Sequence, residues 1–269
     1  MKGAIIGDII GSAFNTDKRL TTEFQLFKPI SSFTDDTVLT LATADAVINN
    51  CSFKEAAKIW IAKYPNAGYN ANFIKWCNNE DTDSTYVSYR EGATRRISSI
   101  GFIAESIDQA MLLAEATTLL THNTPEMIKA AKAVAACIFL AKTSMKKEQI
   151  KEYISNTFGY NLNRSISDLK AESDQEIISV IAPTAITVFL ISYNFEDAIR
   201  KAVSLGFNRC NTVASIVGGI SEAYYKHIPK SIIRKALHRI TPEMETFITD
   251  FDKKYVYNSH PVNVLIGMH

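Results

Sequence analysis

No apolar run in these 269 residues is long enough to cross a bilayer. The longest, Val134 to Ala141 and Val180 to Ile191, fall short of the roughly 18 to 20 residues that a spanning helix needs. The apolar start, MKGAIIGDIIGSAF, is broken by Asp8 and carries one lysine, whereas a signal peptide needs a longer uncharged centre. Charge of one sign is also missing. Lysine and arginine number 29 against 28 aspartates and glutamates, a net charge of +1, which gives no field to steer the chain toward nucleic acid or an anionic membrane. The four cysteines, Cys51, Cys77, Cys137 and Cys210, form no CxxC pair, which argues against structural zinc or a disulfide framework and fits a reducing, cytoplasmic setting. Alternating runs bounded by turn residues are nearly absent, and no repeat, low-complexity tract or linker divides the chain. These absences leave an all-α fold, a single compact multi-helix domain over 1–269.

The residues present agree with that reading. A hydrophobic content of 46% supplies a large core. Apolar residues recur near a period of 3.6, as at Ala56, Ile59, Trp60 and Lys63, or at Ile128, Ala131, Ala135, Ile138 and Phe139. Two segments rich in small residues, TVLTLATADAVI from Thr37 and VASIVGGISEAYY from Val213, allow close helix packing and predict central helices. Polar residues without periodicity predict loops over 15–32, 78–91 and 161–173.

Chemistry concentrates first at SSFTDDTVLT. Thr34 or Asp35 serves as a helix N-cap, and the acidic charge suits the positive helix end. One cap needs one residue, however, and the adjacent carboxylates of Asp35 and Asp36 repel unless a cation or hydrogen bonds compensate. A hard ion such as Mg²⁺ takes the oxygen ligands that a Thr-Asp-Asp cluster offers.

Several blocks together resemble the ADP-ribosylglycohydrolase family. They are GAIIGDIIGSAF at 3–14, SFTDDTVLT at 32–40, SYREGATRRISSIGF at 88–102, THNTPEMIKAAKAVAACIFLA at 121–141, and AIRKAVSLG followed by NTVASIVGGISEAYY up to Tyr225. They stand in the family's order over roughly 1–230. The resemblance implies an all-helical domain that binds ADP-ribose beside a two-magnesium centre and hydrolyses the glycosidic bond joining ADP-ribose to a modified target. It implies Thr34, Asp35 and Asp36 as metal ligands. Ser88, Tyr89 and Gly92 would belong to a loop around the ribose and phosphates, with Gly92 allowing close backbone approach, and His122 would line the ligand site. Arg96 is either a structural ion pair or a ligand contact.

The chain departs from that pattern where the family closes its metal site with Gly-Gly-Asp-x-Asp-Thr. Here residues 206–212 read GFNRCNT, so Thr212 is kept while Asn211 and Arg209 replace the two aspartates. By residue counting the local charge rises by about +3, and an arginine beside a divalent ion costs several kcal/mol. One ion held by Thr34, Asp35, Asp36, Asn211 and Thr212, or none, is therefore expected. In the second case Arg209 takes the metal's place, pairing with Asp35, with Asp36 or with a ligand phosphate. Asn15 stands where many relatives carry a glutamate near the reacting ribose; it can position water but cannot exchange a proton. Arg90-Glu91 and Thr124 mark further changes.

Two readings follow. One is a divergent hydrolase acting on an ADP-ribosylated target through Asp35, Asp36 and Asn15. The other is an inactive relative that binds ADP-ribose, a nucleotide or a protein partner. The oligomeric state is not legible, and residues 255–269, YVYNSHPVNVLIGMH, are expected to pack back on the domain.

Overall fold

The structure, a computed structural model, describes residues 1–17, 21–79, 86, 88, 92–173 and 180–257. Among the described residues there are fifteen α-helices and no strand. The first six are α1 (Lys2–Ser12), α2 (Asp35–Ile48), α3 (Phe53–Lys63), α4 (Ala71–Asn78), α5 (Gly92–Arg96) and α6 (Ser98–Ile103). They are followed by α7 (Ile107–Leu119), α8 (Pro125–Lys142), α9 (Lys147–Phe158), α10 (Ile166–Ser173) and α11 (Ile181–Leu190). The chain then forms α12 (Phe195–Ser204), α13 (Cys210–Tyr225), α14 (Lys230–Leu237) and α15 (Pro242–Phe251), and a π-helical turn at Asp252–Val256. No helix among the described residues is long and apolar enough to cross a membrane.

Helix α13 is the axis, buried from Cys210 to Ala223, with α1, α8, α11 and α12 packed around it. Its closest neighbour is α1, because three glycines one turn apart let the two backbones touch. A Cβ on Gly3 would overlap Gly218, one on Gly7 the Ala214 carbonyl, and one on Gly11 the Asn211 backbone. A buried charge cluster fixes the outer end of that contact. Glu222 accepts the Gly3 N–H at 2.7 Å and lies 3.2 Å from the Met1 amino group, while Asp252 meets that amino group at 3.1 Å and Lys2 Nζ at 3.0 Å. This clamp sets the depth of α1, and so the position of Asp8 further along it.

Three expectations need correction. Residues 161–173 do not form one loop, since α10 occupies Ile166–Ser173. Its start is a reciprocal cap in which Ser165 Oγ accepts the Asp168 N–H and Asp168 Oδ2 accepts the Ser165 N–H; a run of polar residues concealed the helix behind its own cap. On α3 the inward stripe is Phe53, Ala56, Ala57 and Trp60, while Ile59 is 53% exposed. Likewise α8 is buried on nearly every side from Ala130 to Ala141 rather than along one stripe. All four cysteines are free. Tyr255 packs on Phe251, with ring centroids 5.0 Å apart, and residues 258–269 lie outside the described ones.

Candidate active site

Thr34 is the N-cap of α2, its Oγ1 accepting the Asp36 N–H at 3.2 Å. That hydroxyl also donates to Asp8 Oδ1 at 2.7 Å, which joins the cap to an acid the sequence reading left aside. Asp8 is the one charged residue in the buried stretch of α1 and has no exposed surface. Its Oδ2 accepts from the backbone N–H of Thr34 (2.8 Å) and of Thr37 (3.3 Å) and from Thr37 Oγ1 (2.6 Å), and Asn211 Nδ2 reaches Oδ1 at 3.1 Å. Burial pushes the Asp8 carboxyl above its ordinary range, and these donors act in the opposite sense. The signal for it was present in GDIIG: an aspartate among isoleucines on a fully apolar helix needs a buried set of donors.

The cation at the paired carboxylates is Arg95, from α5, and not Arg209. Arg95 NH2 stands 2.7 Å from Asp35 Oδ2 and NH1 3.3 Å from Asp35 Oδ1, while NH1 also donates to Asp36 Oδ1. The other oxygen of Asp36 accepts from Asn211 Nδ2 at 3.1 Å and Thr212 Oγ1 at 3.0 Å. Burial is the main reason the Asp36 carboxyl lies well above its ordinary range; Arg95 opposes that shift, and Asp35 and Asp8 add to it. The motif TRR had pointed to Arg96, but Arg96 turns inward. It is fully buried over the Phe53 ring, 4.0 Å from its centroid, and donates to Thr117 O and Thr121 Oγ1. Burial pushes its guanidinium down to about 9, with Arg95 adding to the effect.

These groups stand at one end of a cavity of about 520 Å³, within the roughly 300–1,000 Å³ of small-molecule sites. Thr34, Asp35, Arg95, Asn211 and Thr212 line that end, and Asp36 sits behind them. Asn15 is also on the wall, held there as its Oδ1 accepts the Asn211 N–H at 3.2 Å. Arg209 lines the same space, while the ion pairs described on both carboxylates come from Arg95. The same cavity is lined by Ser88, Gly92, His122, and the rings of Phe73 and Tyr86, whose centroids lie 5.7 Å apart. Tyr89, Arg90 and Glu91 lie outside the described residues. Gly92 serves the site less by a turn than by its missing side chain: a Cβ there would sit 3.1 Å from His122 Cε1 and Nε2.

His122 precedes α8, whose N-cap is Thr124. Its Nδ1 lies 2.7 Å from Thr121 Oγ1, which accepts from Arg96 NH2 at 2.7 Å. With Arg96 filling an acceptor position, the Thr121 hydroxyl proton has the imidazole at 2.7 Å and the Thr118 carbonyl at 3.4 Å. The Thr121 hydroxyl thus holds the imidazole by Nδ1, with its Nε2 edge beside Gly92.

The model of the ADP-ribosylglycohydrolase family matches residues 1–259. The chain belongs to the ADP-ribosylglycohydrolase family. A solved structure described as an ADP-ribosylglycohydrolase-related protein complex has a TM-score of 0.66 to it at 19% identity, covering 94% of this chain and 96% of the other. At that identity the likeness shows this family member's fold alone. No curated protein matches the sequence.

The family implies magnesium among these oxygens, and the donors present do not suit it. Every oxygen of Asp8, Asp35 and Asp36 already accepts a proton from a backbone amide, a hydroxyl, Asn211 or Arg95. Asn211 turns its NH₂ toward Asp8, Thr34 and Asp36. Flipping it to offer oxygen to a metal would aim a carbonyl at three acceptors. A divalent ion about 4 Å from the guanidinium would add repulsion on the order of 8 kcal/mol at an effective dielectric of ~20.

Proposed function

We propose that this family member binds an ADP-ribosyl group in the 520 Å³ cavity and hydrolyses the glycosidic bond linking it to a modified target. The observation that carries the proposal is the single space shared by Asp35, Arg95, His122 and Arg209 in a chain matched to the family over 1–259. Such a lining suits a ligand carrying a diphosphate, hydroxyl-rich sugars and a flat base. The Arg209 guanidinium at the wall suits phosphate oxygens. Asn15 and Ser88 offer partners to hydroxyls, and the Phe73 and Tyr86 rings form an apolar wall for the base.

The reaction asks for negative charge beside an anomeric carbon as it becomes positive, and for a held water. Asp35 is the carboxylate at the wall and takes that role; Asp36, fully buried behind it, fixes Arg95. Asn15 orients the water or a ribose hydroxyl without exchanging a proton. His122, whose ring lines the cavity beside Gly92, contacts the bound sugar or phosphate.

A second reading, ligand binding without turnover, draws support from Arg95. Both oxygens of Asp35 accept from it, so the one carboxylate at the wall is already engaged by a cation of the chain. Calorimetry with ADP-ribose and a release assay on arginine-, serine- and nucleic-acid-linked ADP-ribose separate the two. Hydrolysis predicts release that Asp35→Ala abolishes while ADP-ribose still binds. Binding with no release from any substrate leaves the second reading, and absence of ADP-ribose binding overturns both.

A further inference from the structure

We infer that Arg95 is the resident cation of this site, so that the ADP-ribosyl pocket forms and fills without a divalent metal. The inference rests on the proposed ligand only for the word ADP-ribosyl; the ionic part stands on the chain alone.

Three observations carry it. Arg95 spans both acids, with NH2 on Asp35 and NH1 shared between Asp35 and Asp36, so one planar fork does the bridging that a bound ion would do. The guanidinium belongs to the fold: its side chain is 12% exposed, matching the 12% of Asp35 against it. The two helices pack closely at the same place: Thr40 Oγ1, which donates to Asp36 O at 2.7 Å, lies 3.4 Å from the Arg95 carbonyl oxygen. Finally, Asn211 and Thr212 approach Asp36 as proton donors, at 3.1 and 3.0 Å, and Asn211 bridges Asp36 to Asp8. An aspartate in place of Asn211 would repel both acids unless a metal joined them. Asparagine at 211 and arginine at 95 therefore work as a matched pair: the amide removes a ligand charge and the guanidinium neutralises the acids that remain.

The test uses the full chain. Free Mn²⁺ is followed by its paramagnetic resonance signal and Mg²⁺ by calorimetry, and ADP-ribose affinity is measured in excess EDTA and in millimolar Mg²⁺. The wild-type chain is expected to leave the Mn²⁺ signal unchanged, to give no Mg²⁺ heat, and to hold ADP-ribose equally in both buffers. A double variant, Arg95→Ala with Asn211→Asp, is expected to take up Mn²⁺ roughly tenfold more tightly or better. Stoichiometric Mn²⁺ uptake by the wild-type chain, or an ADP-ribose affinity that collapses in EDTA, would overturn the inference. The wild-type Mn²⁺ measurement decides the matter even if the double variant fails to fold. Failure to bind ADP-ribose in either buffer would count against the proposed function alone, because the Mn²⁺ result is read separately.

Discussion

Arg95 and Asp35, sixty residues apart in the chain, meet edge to edge, with both carboxylate oxygens on the two terminal nitrogens of the guanidinium at 2.7 and 3.3 Å. The contact explains why two acids can stand side by side at the start of α2. Asp36 is wholly buried and Asp35 nearly so, and a helix N-terminus contributes only about half a positive charge. Arg95 supplies the rest, and Asp8 orders the cap from below through the Thr34 and Thr37 hydroxyls.

Asp8 organises the site without reaching the cavity. Asp8→Asn replaces an oxygen that accepts three protons, or one that accepts two, with an amide that itself donates. Loss of about 3 kcal/mol or more is expected, the scale for breaking a buried charged network from one side. Urea unfolding measures it. A loss below 1 kcal/mol would mean that the Thr34 turn holds itself.

The α1 to α13 contact has no room to give at Gly7. Gly7→Ala would drive a methyl into the Ala214 carbonyl and the Ser215 nitrogen, and backbone on both sides cannot yield as a side chain does. About 3 kcal/mol of destabilisation is expected, the upper part of the overpacking range. The helices would have to part, so Asp8 would also shift from Thr34 and ADP-ribose affinity would fall with stability. Equal unfolding midpoints for variant and wild type would contradict the packing described.

Much of this was legible in the sequence, for identifiable reasons. The all-α fold, the family, the Thr34 cap and the central place of Val213 to Tyr225 follow from periodicity, small residues and ordered motifs, all of them local or cumulative signals. The partner of Asp35 was not legible. Both Arg95 and Arg209 sit near motif residues, and only the tertiary path of α5 brings the first onto the acids while Arg96 turns under Phe53. Asp8 was readable in principle, since a lone acid in GAIIGDIIG is costly unless donors surround it. Helix α10 was hidden because Ser165 and Asp168, the residues that cap it, are the same types that mark loops.

Stability should fall at alkaline pH, and Cys137 isolates one proton of that effect. It is fully buried, which pushes its thiol up from the ordinary value, whereas an unfolded thiol ionises near about 8.5. Above that pH the native state holds a proton that the unfolded state has lost, so stability declines as pH rises. The limiting slope for one such group is about 1.4 kcal/mol per pH unit. Urea titrations from pH 8 to pH 10, run on wild type and Cys137→Ala, should show a shallower decline in the variant, whatever the alanine costs at pH 8. Parallel lines would mean that the thiol ionises in the folded protein.

The chain from Arg96 through Thr121 to His122 sets how the imidazole meets a ligand. Thr121→Val keeps the shape and removes the hydroxyl, so His122 Nδ1 loses a partner at 2.7 Å while Arg96 keeps Thr117 O at 3.0 Å. Without that hydroxyl the ring loses the contact that fixes its orientation at the cavity wall. ADP-ribose should bind about fivefold more weakly, the equivalent of one hydrogen bond of ~1 kcal/mol. The ring nitrogen resonances of His122 should shift as Nδ1 loses its partner. Weakened binding with those resonances unchanged would assign Thr121 a packing role, and unchanged binding with shifted resonances would remove His122 from the ligand's contacts.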